Sequence, residues 1–156
     1  MKQNIYDNEK FFKQYAAIRN REYNYNNLLE QPNFIQLMPD VRDKVVLDIG
    51  CGMGDFAAFC ASQGAKHVTG TDISSNMIHA ALKKHRHEHL IFQKSAFEDL
   101  ELAEASIDVI FSSLAFHYIA DFNSLIKKIS SALCTEGILL FSIEHPIVTA
   151  NKGNED

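Results

Sequence analysis

Val45-Val46-Leu47-Asp48-Ile49-Gly50-Cys51-Gly52-Met53-Gly54-Asp55 is the stretch that decides the fold. Four apolar residues around one acid predict a short strand buried on both faces. Three glycines at alternate positions then predict a tight turn with bare backbone. Asp55 opens a segment to Gln63 in which Phe56, Phe59 and Cys60 recur at helical spacing, with Gly64 as its stop. A strand delivered through a glycine turn into a helix begins a βαβ unit.

The same alternation continues along the chain. His67–Asp72 reads as a second strand, and Ser74 caps a helix with Met77, Ile78, Ala81 and Leu82 on one face, ending in Lys83, Lys84, His85 and Arg86. Cations in a last turn complement the helix dipole, so this basic cluster reads as a solvated helix end. Leu90–Phe92 and Ile107–Phe111 read as strands three and four. Phe122, Leu125, Ile126, Ile129 and Leu133 line a further helix that closes near Gly137, and Ile138–Ile143 is strand five. Apolar strands separated by helices imply an α/β fold, a parallel sheet between helical layers. Ligands of such sheets sit beyond the carboxyl ends of the strands. Residues 1–43 differ in composition, holding four of the five tyrosines and two of the three prolines.

The turn discriminates between ligands. A dinucleotide fingerprint needs G-x-G-x-x-G/A, and here the last position is Asp55, where a pyrophosphate would need neutral or positive surroundings. A P-loop is excluded because no Gly-Lys-Ser/Thr follows. Asp48 and Asp55 suit a ligand carrying positive charge, such as one with an ammonium and a sulfonium centre. Asp72 ends strand two, where a carboxylate accepts hydrogen bonds from both ribose hydroxyls of a nucleoside.

In this order the motifs resemble the class I S-adenosylmethionine-dependent methyltransferases. VVLDIGCGMGDF is similar to their glycine-rich first motif and VTGTDISSNMI to the second strand with its ribose-binding acid. IDVIFSSLAFHYI resembles the fourth strand and its loop, and LCTEGILLFSIEHPIVTA the fifth strand and exit segment. The last two, with FFKQYAAIRN, resemble a bacterial small-molecule subgroup. The resemblance implies a Rossmann-like doubly wound sheet, mainly parallel, in order 3-2-1-4-5, and S-adenosyl-L-methionine as cofactor. By position it implies that Gly50, Cys51, Gly52 and Gly54 approach the methionine portion, that Asp48 orients its amino group and that Asp72 holds the ribose. Ile73 and Met77 would flank the adenine. The family's acid after strand three falls on Ala96, so Glu98, Asp99 or the Phe97 backbone N–H would serve the ring instead. Ser112 to Tyr118 would face the transferable methyl group, with Ser112 against the cofactor.

His117 is the candidate general base, as the residue of that loop able to accept a proton near neutral pH; the alternative is a structural histidine. His145 can reach the same mouth, or His-Pro merely fixes the chain's exit. Tyr15 and Arg19 lie four apart on the N-terminal helix. By resemblance residues 1–43 fold over the cofactor as a lid, where Tyr15 and Arg19 would contact its carboxylate; the alternative is an amphipathic helix with Arg19 solvated.

Composition narrows the rest. The chain has 156 residues, about one domain, with 46% apolar and 22% charged residues and a formal net charge of −5. An acidic surface disfavours nucleic acid, and Ser112-Ser113-Leu114-Ala115 stands where base amino-methylating enzymes carry Asn/Asp-Pro-Pro-Tyr/Phe. No apolar run is long enough to span a membrane. Cys51, Cys60 and Cys134 have no metal-like spacing, which favours free thiols in a reducing cytoplasm. His85, His87 and His89 straddle a helix end, so no metal site is expected. Three functional readings follow: an active methyltransferase on a small-molecule acceptor, a cofactor-binding relative without chemistry, and a nicotinamide enzyme, which Asp55 disfavours. Against the family's seven strands the chain is short, and the expectation is a truncated product lacking the C-terminal antiparallel hairpin. The alternative is that another subunit, in a homo-oligomer, covers the apolar edge of strand five. Residues 44–150 form the cofactor domain and 151–156 a disordered tail.

Overall fold

A computed structural model describes residues 4–19, 21 and 23–145. The tail expected at 151–156, and the end of the 44–150 unit, lie outside the described residues. The elements run α1 (Glu9–Arg19), α2 (Gln31–Gln36), β1 (Val45–Ile49), α3 (Asp55–Ser62), β2 (His67–Asp72), α4 (Ser75–Lys84), β3 (Leu90–Lys94), β4 (Ile107–Ser113), α5 (Phe122–Ala132) and β5 (Leu133–Ser142). The sheet order is β3-β2-β1-β4-β5, with every neighbouring pair parallel, as expected.

Strand alternation explains why β1 is apolar on both faces. Val46 joins Val68, Val109 and Phe111 in one core layer with Phe34, Ala57, Cys60 and Ala61. Leu47 and Ile49 enter the opposite layer with Ile107, Ile110, Phe116, Leu125 and Ile129. Asp48, on the Val46 side, is carried into the interior at the end of a fully paired strand and is 2% exposed. The Ser74 hydroxyl caps α4 by accepting from Met77 N at 3.2 Å, and the Asp121 carboxylate caps α5 by accepting from Ser124 N at 2.9 Å.

Several boundaries differ from expectation, α4 among them, which ends at Lys84 and not at Arg86. β3 and β4 each run two residues further, because hydrogen-bonded pairing continues through Lys94 and Ser113 although the apolar pattern has stopped. α5 buries Leu125, Ile129 and Ala132 but leaves Phe122 exposed. Leu133, expected on that helix, already pairs with Ile107 in β5, and the ladder resumes at Ile138 opposite Val109. The residues between bulge out, with Glu136 at φ +63. β3 joins β4 through a short 3-10 turn, Phe97–Asp99. Lys128 Nζ fastens that turn by donating to the carbonyls of Phe97, Glu98 and Leu100 at 3.3, 2.9 and 2.9 Å. The outer edge of β5 pairs with no described strand and leaves Ile138 and Phe141 exposed.

Phe111 is fully buried, its ring edge-on to Phe56 at 4.9 Å and 6.1 Å from Phe34. Replacing Phe111 with alanine should lower the unfolding free energy by about 3–5 kcal/mol. Urea titration should show this as a lower midpoint at unchanged slope.

Candidate active site

The glycine turn is tied to β2 by its own backbone. Gly50 N and Cys51 N both donate to the Thr71 carbonyl, at 2.8 and 2.9 Å. One residue on, Gly52 N donates to Asp72 Oδ2 at 3.0 Å, and Ser74 N donates to Asp72 Oδ1 at 2.8 Å. The Asp72 carboxylate is therefore held at both oxygens before any ligand arrives. Gly52 has φ +53 and nothing within 4 Å of where a Cβ would stand, whereas at Gly54, φ +82, a Cβ would lie 2.5 Å from the Phe92 ring. The first is bare toward the cavity and the second is bare toward the core.

Above this turn lies a cavity of about 890 Å³. Its floor is Asp48, Gly50, Cys51 and Gly52, one side is Asp72, Ile73 and Met77, and the other is Ser113, Leu114, His117 and Glu144. Tyr6, Phe11, Tyr15 and Arg19 close it from the N-terminal segment. A smaller adjoining cavity, about 90 Å³, is lined by Phe97 and Glu98 together with Asp72 and Ile73.

Two expectations need correction. Ser112 does not reach the cavity: it still pairs within the sheet, opposite Phe141, and is fully buried, while Ser113 on the other face lines the wall. The longer β4 is the reason, because each extra paired residue reverses the side facing the cavity. Gly54 does not line the cavity either; it is the N-cap of α3 and faces Phe92 and Ala81.

The electrostatics of the floor are unusual. Burial, helped by the Asp72 charge, pushes the Asp48 carboxyl up to about 7, and only the Ala57 amide opposes this. Asp48 Oδ2 is buried without a partner among the described residues, as are Arg19 Nη1 and both ring nitrogens of His117. Burial also raises Asp72, against the two amides that hold it. The Tyr6 and Tyr15 hydroxyls are raised by burial too, so both remain neutral donors. Asp55, by contrast, is paired with Lys84 at 2.5 Å and His85 at 3.0 Å, which compensates its charge at the turn. The basic end of α4 is thus partly an ion-pair partner of the glycine turn. A ligand presenting an ammonium to Asp48 and a carboxylate to Arg19 would satisfy both orphaned groups at once, so the residues present fit the group the motifs imply.

Several wall residues carried no sequence signal. Asp7 Oδ1 accepts from Ser74 Oγ at 2.6 Å and from Asn76 N at 3.2 Å, and Asn76 Nδ2 donates to Tyr6 O at 3.0 Å. These bonds latch the N-terminal segment to the start of α4. The Tyr6 ring packs edge-on to Phe11 and Tyr15, and its hydroxyl meets that of Tyr118 at 3.5 Å. Asn26, Gln31 and Glu144 also reach the wall. A latch spanning 67 residues of sequence leaves no local spacing, and only the tyrosine and asparagine richness of residues 1–43 hinted at it. Cys51, Cys60 and Cys134 are free thiols, with burial raising Cys51 and Cys60 so that both are inert fillers. Among the described residues no cluster of three or more His, Cys, Asp or Glu is placed to hold a metal, and no helix is long and apolar enough to cross a membrane.

Known proteins share this architecture. The family model described as a methyltransferase domain matches residues 47–141. An uncharacterized protein of Haemophilus influenzae is 37% identical over 97% of this chain and 62% of its own length. Protein arginine N-methyltransferase 1 of Schizosaccharomyces pombe is 39% identical over 46% of this chain and 22% of its own length. The crystal structure of an S-adenosylmethionine-dependent methyltransferase from Mesorhizobium loti superposes with a TM-score of 0.75 at 31% identity, covering 80% of this chain and 57% of that one. The chain spans about three fifths or less of the length of these relatives.

The two glycines should separate on substitution. Gly52→Ala should cost about 1 kcal/mol, from its positive φ alone, and Gly54→Ala distinctly more, because Phe92 must also move. Chemical denaturation of the two variants measures the difference. Asp48 supplies a pH test. Its folded value lies above that of an unfolded aspartate, so the folded state holds a proton that the unfolded chain has released, and stability falls as pH rises from about 4 through about 7. Asp48→Asn should flatten that decline and be more stable than the parent at pH 8, as read from urea midpoints at pH 5 and pH 8.

Proposed function

The chain belongs to the class I S-adenosylmethionine-dependent methyltransferases, and from that premise we propose that it binds S-adenosylmethionine in the cavity above β1 and β2 and transfers the methyl group to a small-molecule acceptor in the cytoplasm. One observation carries the reading. Asp48 Oδ2 and Arg19 Nη1, of opposite charge and both unpartnered, line the same cavity beside an Asp72 already fixed at both oxygens.

Asp72 takes the ribose hydroxyls. Ile73 and Met77 would provide the apolar wall for the adenine, with the adjoining cavity at the Phe97 turn open to its ring. Asp48 faces the ammonium, Arg19 the carboxylate, and Tyr15 beside Arg19 shields that ion pair from water. Gly50 and Gly52 let the backbone approach the methionine portion. Residues 1–43 act as the lid, held down by the Asp7 latch. When bound, the cofactor supplies a methyl group activated by sulfonium. The protein's contribution is in-line placement of the acceptor and exclusion of water. His117, with both ring nitrogens unpartnered at the acceptor side, takes up the acceptor's proton. The small-molecule acceptor is supported by the position of the cavity beneath the N-terminal segment, whose Tyr6, Phe11, Tyr15 and Arg19 line it, and by the net charge of −5.

Calorimetric titration tests this reading. S-adenosylmethionine and S-adenosylhomocysteine should both bind, and NAD should not. Asp72→Ala and Arg19→Ala should each weaken binding by about tenfold or more, the scale of a lost charged hydrogen bond. An ammonium beside Asp48 favours its carboxylate, so binding at pH 7 should release a proton and affinity should fall as pH drops below 7. Titrations in buffers of different ionisation enthalpy measure that proton. Absence of binding by either sulfur compound would end the proposal.

A further inference from the structure

The acceptor end of the cavity carries a hydrogen-bond arrangement that selects what can bind there. Glu30 lies just before α2, in the N-terminal segment, yet its carboxylate reaches the carboxyl ends of β4 and β5. Its Oε1 accepts from Ser113 Oγ at 2.8 Å and from Ser142 Oγ at 2.7 Å. Leu114 N in turn donates to Ser142 Oγ at 3.1 Å, which fixes that hydroxyl's orientation. A carboxylate only accepts, so the single hydrogen of Ser113 is committed to Glu30. Ser113 lines the cavity, and toward it can offer nothing but lone pairs. Glu144, on the same wall, is also an acceptor. Glu30 Oε2 is buried without a partner among the described residues. On the described cavity wall Arg19 is the one lysine or arginine, and the proposed cofactor carboxylate engages it.

A group docking against Ser113 must therefore donate a hydrogen bond, and two carboxylates with no spare cation favour a positive one. We propose that Ser113, backed by Glu30, is the docking point for an acceptor amine, so that the small-molecule substrate is a primary or secondary amine rather than a carboxylate or an alcohol. The amine docks as its ammonium, donating to Ser113 Oγ one hydrogen bond away from the Glu30 carboxylate. Loss of one proton to the unpartnered His117 ring then frees the lone pair, and the N–C bond forms as the S–CH3 bond of the proposed cofactor breaks. At Ser113 itself a carboxylate or phosphate finds no donor hydrogen, and it meets like charge from Glu30 and Glu144. Glu30 is a positioning residue: it acts by fixing the direction of the Ser113 hydroxyl and by its field.

This inference rests on the methyltransferase reading, and the two are tested in one experiment. The isotopically labelled protein is first titrated with S-adenosylhomocysteine, then with n-butylamine, n-butanol or sodium butyrate, following backbone amide resonances by NMR. n-Butylamine should shift Ser113, Leu114, His117 and Glu144, with butanol weaker and butyrate without effect at these residues. Glu30→Gln and Ser113→Ala should each weaken the amine by about tenfold, the scale of a charge-assisted hydrogen bond. Glu30→Gln keeps an oxygen acceptor for the serines, and Ser113→Ala is smaller than the parent residue, so folding of both is checked in the same spectra. Failure of S-adenosylhomocysteine to bind would overturn both readings. S-adenosylhomocysteine binding with no amine response, with butyrate or butanol bound as tightly as the amine, or with both variants unchanged would overturn the amine assignment alone.

Discussion

One carbonyl oxygen, that of Thr71, accepts both the Gly50 and Cys51 amides, and the rest of the site depends on that pair of bonds. They draw the end of β1 sideways onto the end of β2. Without them the chain leaving β1 would run straight over the sheet and fill the crevice where ligands of such folds bind. With them, Gly52 stands bare over the floor and its amide finds Asp72, so the turn positions the acid and the acid restrains the turn.

The same constraint explains the charges beneath the cavity. Asp48 cannot leave the sheet, because it is paired with Gly70 on one side and Phe111 on the other. Its carboxyl is therefore buried whether or not a partner is present, and it is pushed up to about 7. Such a group destabilises the empty fold at neutral pH and is relieved by a cation. For the proposed cofactor, an ammonium placed beside Asp48 would recover that cost on binding. Arg19 has the complementary debt on the lid side, with one guanidinium nitrogen buried and unpartnered.

The N-terminal segment joins these two halves. Asp7 fastens it to the start of α4, and Glu30 fastens it to the ends of β4 and β5. Both anchors are carboxylates that accept serine hydroxyls, and they lie on opposite sides of β1 in the strand order. A segment held at two separated points covers the cavity without filling it, which leaves a space of about 890 Å³ above the strand ends.

How much of this was legible in the sequence follows from the range of each interaction. The five strands, their parallel pairing and the placement of Asp48 and Asp72 at the strand ends were readable because they rest on local periodicity and on one short glycine motif. The ends of β3, β4 and β5 were not, since hydrogen-bonded pairing extends past the apolar residues that announce a strand. That small error decided Ser112 against Ser113, because strand side chains alternate and one paired residue more exchanges the wall for the core. The resemblance pointed to Tyr15 and Arg19, but no spacing could point to Asp7, Glu30 or Glu144. Local sequence determined the cavity floor, a strand–turn–helix order that tolerates few alternatives and whose Gly52–Asp72 contact spans only 20 residues. Tertiary structure alone decided the wall at Ser113, because Glu30 meets Ser113 and Ser142 across 83 and 112 residues, and contacts of that separation exist only once the sheet has brought its strand ends together.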